Sequence, residues 1–444
     1  MLSTVTADYN LENSRKCILK FLEDFSHGLL FDSNSSSAGP IPVTGIKYDF
    51  LAAAGIVDEF IGDANSLDGL QEFLDVHRSN ANWVFGYISY DVKNGIENLH
   101  SGNRDHLNFP EIHFFVPQHV LLSQNGKVQV FSKSDDPEKL KSAVFQNTQK
   151  LTSNEFSELQ FSHVVNRESY LKNVDVILSH IQRGDIYEMN YCHQFVGTGR
   201  NFKPANAFIR LMEISPNPFS AFLKLNKRYL MCASPERFIS KSENTIISQP
   251  IKGTSARGTD SHSDEVMKHQ LHFNSKERSE NVMIVDLVRN DFSKIACRGS
   301  VKVDELFGVY TFKRSHQMIS TIRCELKPHT NFNTIIKSVF PMGSMTGAPK
   351  ISAMKIIEQV EDFKRGLFSG SVGYIDPSGN FDFNVVIRSI LYDEHSQTVA
   401  IAAGGAITAE SKPSQEYEET LLKLGPQLQA LGVNMDHFLC LEKR

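Results

Sequence analysis

Residues 368–407 read FSGSVGYIDPSGNFDFNVVIRSILYDEHSQTVAIAAGGAI, and their pattern decides the fold. Three apolar runs, FSGSVGYID, FDFNVVIRSILYD and TVAIAAGGAI, are separated by Pro377-Ser378-Gly379 and by a short polar turn. Runs rich in β-branched and aromatic residues between turn signals predict three consecutive strands. Their connections are too short for parallel crossovers, so the strands are antiparallel.

Working outward, helical patterns are expected at about 263–290, 349–361 and 413–431, so that strands come in runs with helices grouped between them. That arrangement is α+β. Upstream, 169–183 reads as a helix ended by Gly184, followed by the strand-like YEMNYCHQFV. The first half is rich in hairpins: 83–90 and 113–122 read as strands, the second followed by an Asn125-Gly126 turn and a strand over 127–131. Residues 133–160 form the longest polar stretch, with Leu140, Val144 and Leu151 at helical spacing. This predicts a surface helix bridging an N-terminal lobe, 1–160, and a second region, 161–440.

The composition excludes several function classes. The 444 residues, 41% hydrophobic and 22% charged, can bury a large core. A net charge of -5 with both signs interspersed offers no field for nucleic acid or an anionic membrane. Six cysteines without paired spacing fit a reducing compartment. The N-terminus lacks a basic region followed by an apolar run, and no segment approaches the roughly twenty apolar residues that span a bilayer. A cytoplasmic protein is expected.

Several residues are placed to carry chemistry. Glu277 and Glu280, and again Glu416 and Glu419, are three apart on predicted helices and so share a face. Four carboxylates meeting across two helices would repel unless a divalent cation lay between them, and oxygen-only ligands favour Mg2+. Taken alone, such pairs more often form a solvated helix face. Lys423 lies one turn beyond Glu419, either facing an anionic substrate or forming a surface ion pair with that glutamate. Gly343, Ser344, Thr346 and Gly347 precede Pro349, expected at the first helical position, where free N–H groups suit an anion. A plain glycine-rich turn accounts for them equally. The stretch is not a nucleotide P-loop, because Ala348-Pro349 intervenes before Lys350. Gly404-Gly405-Ala406 ends an apolar strand, where the backbone can approach a ligand or bulge. Arg388, in the middle of NVVIRSIL, demands an anion, either an internal carboxylate or a substrate's. Lys252, in SQPIKGTSARG, becomes a nucleophile only if its pKa of about 10.4 is lowered. Glu236 and His316 are acid–base candidates.

Together these segments resemble component I of aminodeoxychorismate synthase, within the chorismate-using group that includes anthranilate and isochorismate synthases. The resemblance runs in order through GDIYEMN (184–190), NPFSAF (217–222), ASPERF (233–238), PIKGT (250–254) and SENVMIVDLVRND (279–291). It continues through SHQMIST (315–321), GSMTGAPK (343–350), SGSVGYID (369–376), IRS (387–389), GGAI (404–407) and EYEET (416–420). LLFDSN (29–34) and WVFGYISYD (83–91) extend it more faintly into the first half.

The resemblance implies a single unit over 1–444: two packed antiparallel sheets flanked by helices, assembled from both halves of the chain. It implies Mg2+ on Glu280 and Glu419, with Glu277 and Glu416 supporting bound waters, holding the ring carboxylate of chorismate. Arg388 and Tyr374 are expected on the enolpyruvyl carboxylate. Thr254, Thr346, Gly404, Gly405, Ala406 and Lys423 complete the substrate pocket. Lysine at position 252 marks the aminodeoxychorismate branch, where anthranilate synthases typically carry alanine. Its implied role is attack on ring carbon 2 before ammonia enters at carbon 4. Glu236 is the candidate acid for the leaving hydroxyl, with His316 beside it as a polar contact or second proton carrier. Glu188 departs from the glutamine usual in ammonia-using relatives and from the lysine of isochorismate synthases. Ala406 replaces a third glycine. Ammonia is expected from a glutamine amidotransferase subunit, and the pathway implied is 4-aminobenzoate and folate biosynthesis. LLFDSN and NPFSAF resemble the parts of relatives that bind tryptophan. The competing readings are anthranilate synthase component I and a non-catalytic chorismate- or amino-acid-binding subunit.

Overall fold

The computed structural model describes residues 3–5, 11–34, 48–133, 136–145, 156, 159–163 and 166–435. Its strands form two sheets in which every strand pairing is antiparallel. The larger runs in the order Ser3–Val5, Lys127–Ser132, His119–Gln124, Phe50–Ala54, His27–Asp32, Phe219–Leu225, Arg228–Ser234, Ser389–Asp393, Thr398–Thr408, Glu188–Gly199 and Gly347–Ala348, with Leu159–His163 also on Glu188–Gly199. The smaller runs Ile251–Ala256, Ser315–Glu325, Thr245–Gln249, Arg237–Ser242, Phe381–Asn384, Ser371–Ile375, Val84–Ile88, Ile112–Val116 and Asp58–Gly62, with Lys302–Thr311 also on Ser315–Glu325. The α+β class expected from the sequence is the one observed.

Strands from the two halves of the chain are direct neighbours. His27–Asp32 pairs with Phe219–Leu225, and Val84–Ile88 with Ser371–Ile375. The larger sheet is buried on both faces: Leu29 and Phe31 point into the core shared with the smaller sheet, while Leu30 packs under helices. Burial on both sides explains why these strands read as near-continuous apolar runs.

Two runs expected to be single strands are each two strands, one in either sheet. Residues 113–122 divide into Ile112–Val116 and His119–Gln124. Pro117 lies between them and has no N–H to continue a ladder. The run 381–393 divides into Phe381–Asn384 and Ser389–Asp393, with Arg388 at φ 52° in the crossing. A third crossing, Pro235-Glu236, links Arg228–Ser234 to Arg237–Ser242. Such crossings stitch the sheets together.

The helix expected at 263–290 is also two, Ser261–Phe273 and Ser275–Ile295. Asn274 is extended and its side chain accepts the Glu277 N–H, starting a new helix. Within the expected bridge at 133–160 the described residues form the helix Pro137–Phe145, whose Leu140 and Val144 are buried, and the strand Leu159–His163; Leu151 lies outside the described residues. Pro349 caps Lys350–Val360 instead of occupying its first position.

Candidate active site

Helices Ser275–Ile295 and Pro413–Leu431 meet the strand crossings around a cavity of about 660 Å3. Glu277 and Glu416 sit in the first turns of the two helices, where the helix dipole favours negative charge, and Glu280 and Glu419 follow on the same faces. All four line the cavity. The Lys276 ammonium lies among them, its Nζ 3.5 Å from Glu416 Oε1 and 3.8 Å from Glu280 Oε1. Burial works against that ammonium, but the four glutamates outweigh it and hold its pKa above the ordinary value. Burial, with Glu277 and Glu188 nearby, pushes the Glu280 carboxyl up to about 7. Its Oε1 is buried without a hydrogen-bond partner. Glu419 goes the other way, drawn down chiefly by Lys423.

Lys252 is buried in the wall, its Nζ donating to Glu188 Oε1 at 2.6 Å. The second carboxylate oxygen of Glu188 is buried without a partner. Desolvation disfavours the Lys252 ammonium, yet Glu188, Glu280 and Glu236 outweigh it, so its pKa is raised. The lowered pKa a nucleophile needs is therefore not a property of the protein alone. Gly347 makes the approach of Glu188 feasible: at φ 154° it pairs with Met189, and a Cβ there would lie 2.2 Å from the Glu188 carbonyl oxygen. Glu236, in the 235–236 crossing, is pushed up to about 7 by burial, with Ser344 and Lys252 pulling only partly back.

Arg388 occupies the crossing between Phe381–Asn384 and Ser389–Asp393, half-buried at the cavity edge. Its nearest polar contact is the Lys423 carbonyl at 3.5 Å, and it makes no ion pair among the described residues. An internal carboxylate thus does not explain it. Lys423 binds Glu419 at 2.7 Å and the Gly404 carbonyl at 2.9 Å while lining the same space. Gly404, Gly405 and Ala406 pair with Cys192, Tyr191 and Asn190 without a bulge. A Cβ on Gly404 would meet the Tyr191 carbonyl at 2.3 Å. Thr254 lines the cavity near Lys252.

Three expected residues are not in the lining. Tyr374 is buried among Phe31, Tyr48, Trp83 and Phe85; six residues earlier, Phe368 reaches the cavity. Thr346 is fully buried and its hydroxyl bonds to the Met342 carbonyl within its own turn, while Ser344 faces the cavity. His316 spends both ring nitrogens on Thr311 and Asp264, at 2.9 and 3.0 Å. Side chains alternate across a strand, so it is Gln317 that faces the cavity, its buried Oε1 unpartnered. Sequence reading named Ser344 only as part of the candidate anion-binding turn, and missed Gln317, Phe368, Lys276 and Asn190. Of these, only Lys276 carried a signal, as a cation inside a run of spaced glutamates.

A family model described as chorismate binding enzyme matches residues 31–429. This chain belongs to the chorismate-binding enzyme family. It is 36% identical to the chloroplastic aminodeoxychorismate synthase of Arabidopsis thaliana over 76% of its own length and 39% of that protein's. With aminodeoxychorismate synthase component 1 of Klebsiella aerogenes the identity is 33%, covering 78% of this chain and 77% of that one. The fold superposes on anthranilate synthase component I from Streptococcus pneumoniae TIGR4 with a TM-score of 0.73 at 22% identity, covering 88% and 94% of the two chains. This chorismate-binding enzyme therefore spans well under half of the plant relative and about three quarters of the bacterial one.

In this chorismate-binding enzyme, the segments read against tryptophan sites do come together. Asn34 Nδ2 donates to the Asn217 carbonyl at 2.8 Å, and Arg15 is drawn onto Asp32 and Asn34. The polar groups there are bonded to one another. No helix among the described residues is long and apolar enough to cross a membrane.

Proposed function

We propose that this chain exchanges the carbon-4 hydroxyl of chorismate for an amino group, giving 4-amino-4-deoxychorismate for 4-aminobenzoate and folate biosynthesis. The observation that carries the reading is Lys252, a primary amine buried at the cavity wall and held by Glu188 at 2.6 Å. A residue that neither supports the core nor meets solvent, but faces a cavity beside a proton acceptor, is built for nucleophilic work.

The four glutamates fit Mg2+. They offer oxygen ligands only, the buried Oε1 of Glu280 has no hydrogen-bond partner, and a lysine ammonium already lies among them. When bound, Mg2+ supplies positive charge that holds the ring carboxylate of the substrate and offsets the glutamates that keep Lys252 protonated. Glu280 and Glu419 are the proposed direct ligands, with Glu277 and Glu416 orienting bound waters. Arg388, which makes no ion pair among the described residues, grips the enolpyruvyl carboxylate in bidentate fashion. Lys423, Thr254 and the backbone of Gly404, Gly405 and Ala406 close around the ring.

Lys252 passes a proton to Glu188 and bonds to ring carbon 2 as the carbon-4 C–O bond breaks. Glu236, its pKa pushed up to about 7 by burial, donates in its protonated form the proton with which the hydroxyl leaves as water. Ammonia then bonds to carbon 4, and the bond between carbon 2 and Lys252 breaks, restoring the amine. Ammonia would come from a separate glutamine amidotransferase. The buried thiols Cys192, Cys232 and Cys324, each pushed up to about 12 by burial, are unsuited to glutamine hydrolysis. A cytoplasmic setting belongs to the same reading.

The test is product identification. Purified protein with chorismate, Mg2+ and ammonium at mildly alkaline pH should yield 4-amino-4-deoxychorismate by chromatography and mass spectrometry. Anthranilate with pyruvate, or isochorismate, would overturn the branch assignment, and chorismate binding without turnover would make the chain a binding subunit.

A further inference from the structure

Far from the four glutamates in the sequence, three side chains direct their ligating atoms at one point. His27 Nε2 lies 3.1 Å and His113 Nε2 2.9 Å from the same oxygen, Oε2 of Glu59. All three ligating atoms lie within 4.8 Å of one another. His27 opens a strand of the larger sheet, whereas Glu59 and His113 sit on the smaller sheet. There Glu59 pairs with Phe115 and His113 with Ile61, so that Glu59 and His113 are diagonal neighbours on one face. The cluster thus clips one sheet to the other.

We propose that His27, His113 and Glu59 form a Zn2+ site with water in the fourth position. Two imidazoles and one carboxylate make a set of three protein ligands that suits Zn2+. Zinc ligands at about 2.0–2.2 Å in a tetrahedron stand roughly 3.3–3.6 Å apart, so the two separations between histidine and Glu59 need to open by only a few tenths of an ångström. Both histidines are buried, and burial lowers their pKa values against the pull of Glu59. Glu59 retains solvent access, with 35% of its side chain exposed, which admits the ion and its water. Without metal each Nε2–H donates to Glu59. On binding, the proton moves to Nδ1, which in His27 faces Ser26 Oγ at 2.9 Å, a partner that fixes the tautomer. No net proton is released. Arg228, whose charge also depresses the His113 pKa, opposes the ion.

The full chain, stripped with chelator and saturated with Mg2+, would be titrated with ZnCl2 by calorimetry and thermal melting. The expected result is one zinc per chain with a raised Tm, and affinity weakened about 100-fold or more in Glu59→Gln and in His113→Gln. Glu280→Gln should leave this binding unchanged. Glu59→Gln, at the surface, preserves the fold if His113→Gln does not. Absence of zinc uptake by the folded chain, or uptake of equal affinity in the folded variants, overturns the site.

Discussion

Two buried ion pairs share one region of the molecule and behave as opposites. Arg365 gives Nε and Nη2 to Glu361 at 2.8 and 2.5 Å, and further N–H groups to the carbonyls of Met345 at 2.7 Å and Asn190 at 2.9 Å. Glu361 in turn accepts the Cys192 N–H at 2.9 Å. Lys252 and Glu188 share one hydrogen bond, and one Glu188 oxygen has none. The first pair is architecture: it anchors Asn190 and Met345, which line the cavity. The second keeps bonding capacity in reserve. A buried charge with every partner supplied rigidifies, whereas one left short beside a cavity awaits a ligand.

The largest effect should come from breaking the second pair. Lys252→Ala is expected to lower kcat/KM by about 10^3-fold or more, read by product formation, an effect larger than the stability lost by leaving Glu188 buried without its partner. Breaking the first pair should do the reverse. Arg365→Met leaves Glu361 buried and uncompensated, and is expected to cost about 3–5 kcal/mol in denaturant unfolding. Arg365→Met with Glu361→Leu should recover much of that loss.

Glu236→Gln sharpens the contrast further, with an expected fall in kcat of about 10^2-fold. Wild-type activity that depends on protonated Glu236 should decline as pH rises through about 7, and this limb should vanish in the variant. Stability carries the same sign. The folded pKa of Glu236 lies above its unfolded value, so its contribution is complete below about pH 4.5 and is lost as pH rises through about 7. Glu236→Gln should thus gain up to roughly 3 kcal/mol relative to wild type between acidic and mildly alkaline pH, measured by denaturant melts. The smallest effect is expected at His316, whose nitrogens are engaged with Thr311 and Asp264. His316→Ala should cost about 1 kcal/mol of stability and less than about a few-fold in kcat/KM, while Gln317→Ala should cost about 10-fold.

How legible each residue was follows from what sets its position. The glutamate pairs were readable because helix periodicity alone places residues three apart on one face, whatever the helix packs against. Arg388 was readable as a guanidinium in need of an anion, but its setting was not. Burial on both faces erases the alternation that would have shown the chain leaving one sheet for the other at 385–388, just as it did around Pro117. His316 was misplaced for a related reason. Which of two successive strand residues faces a cavity depends on register, and the pairing of Ile251–Ala256 with Ser315–Glu325 shifts between Ile251 and Thr254. The His27, Glu59 and His113 cluster left no sequence signal, because its members come from three separated strands in two sheets.

The central claim, that Lys252 is the nucleophile, is tested most directly by intact-protein and peptide mass spectrometry after incubation with chorismate and Mg2+ in the absence of ammonia. The predicted result is a covalent addition equal to chorismate less one water on the peptide carrying Lys252, discharged to 4-amino-4-deoxychorismate when ammonium is added. No addition at Lys252, in a protein that turns over once ammonium is supplied, would contradict it.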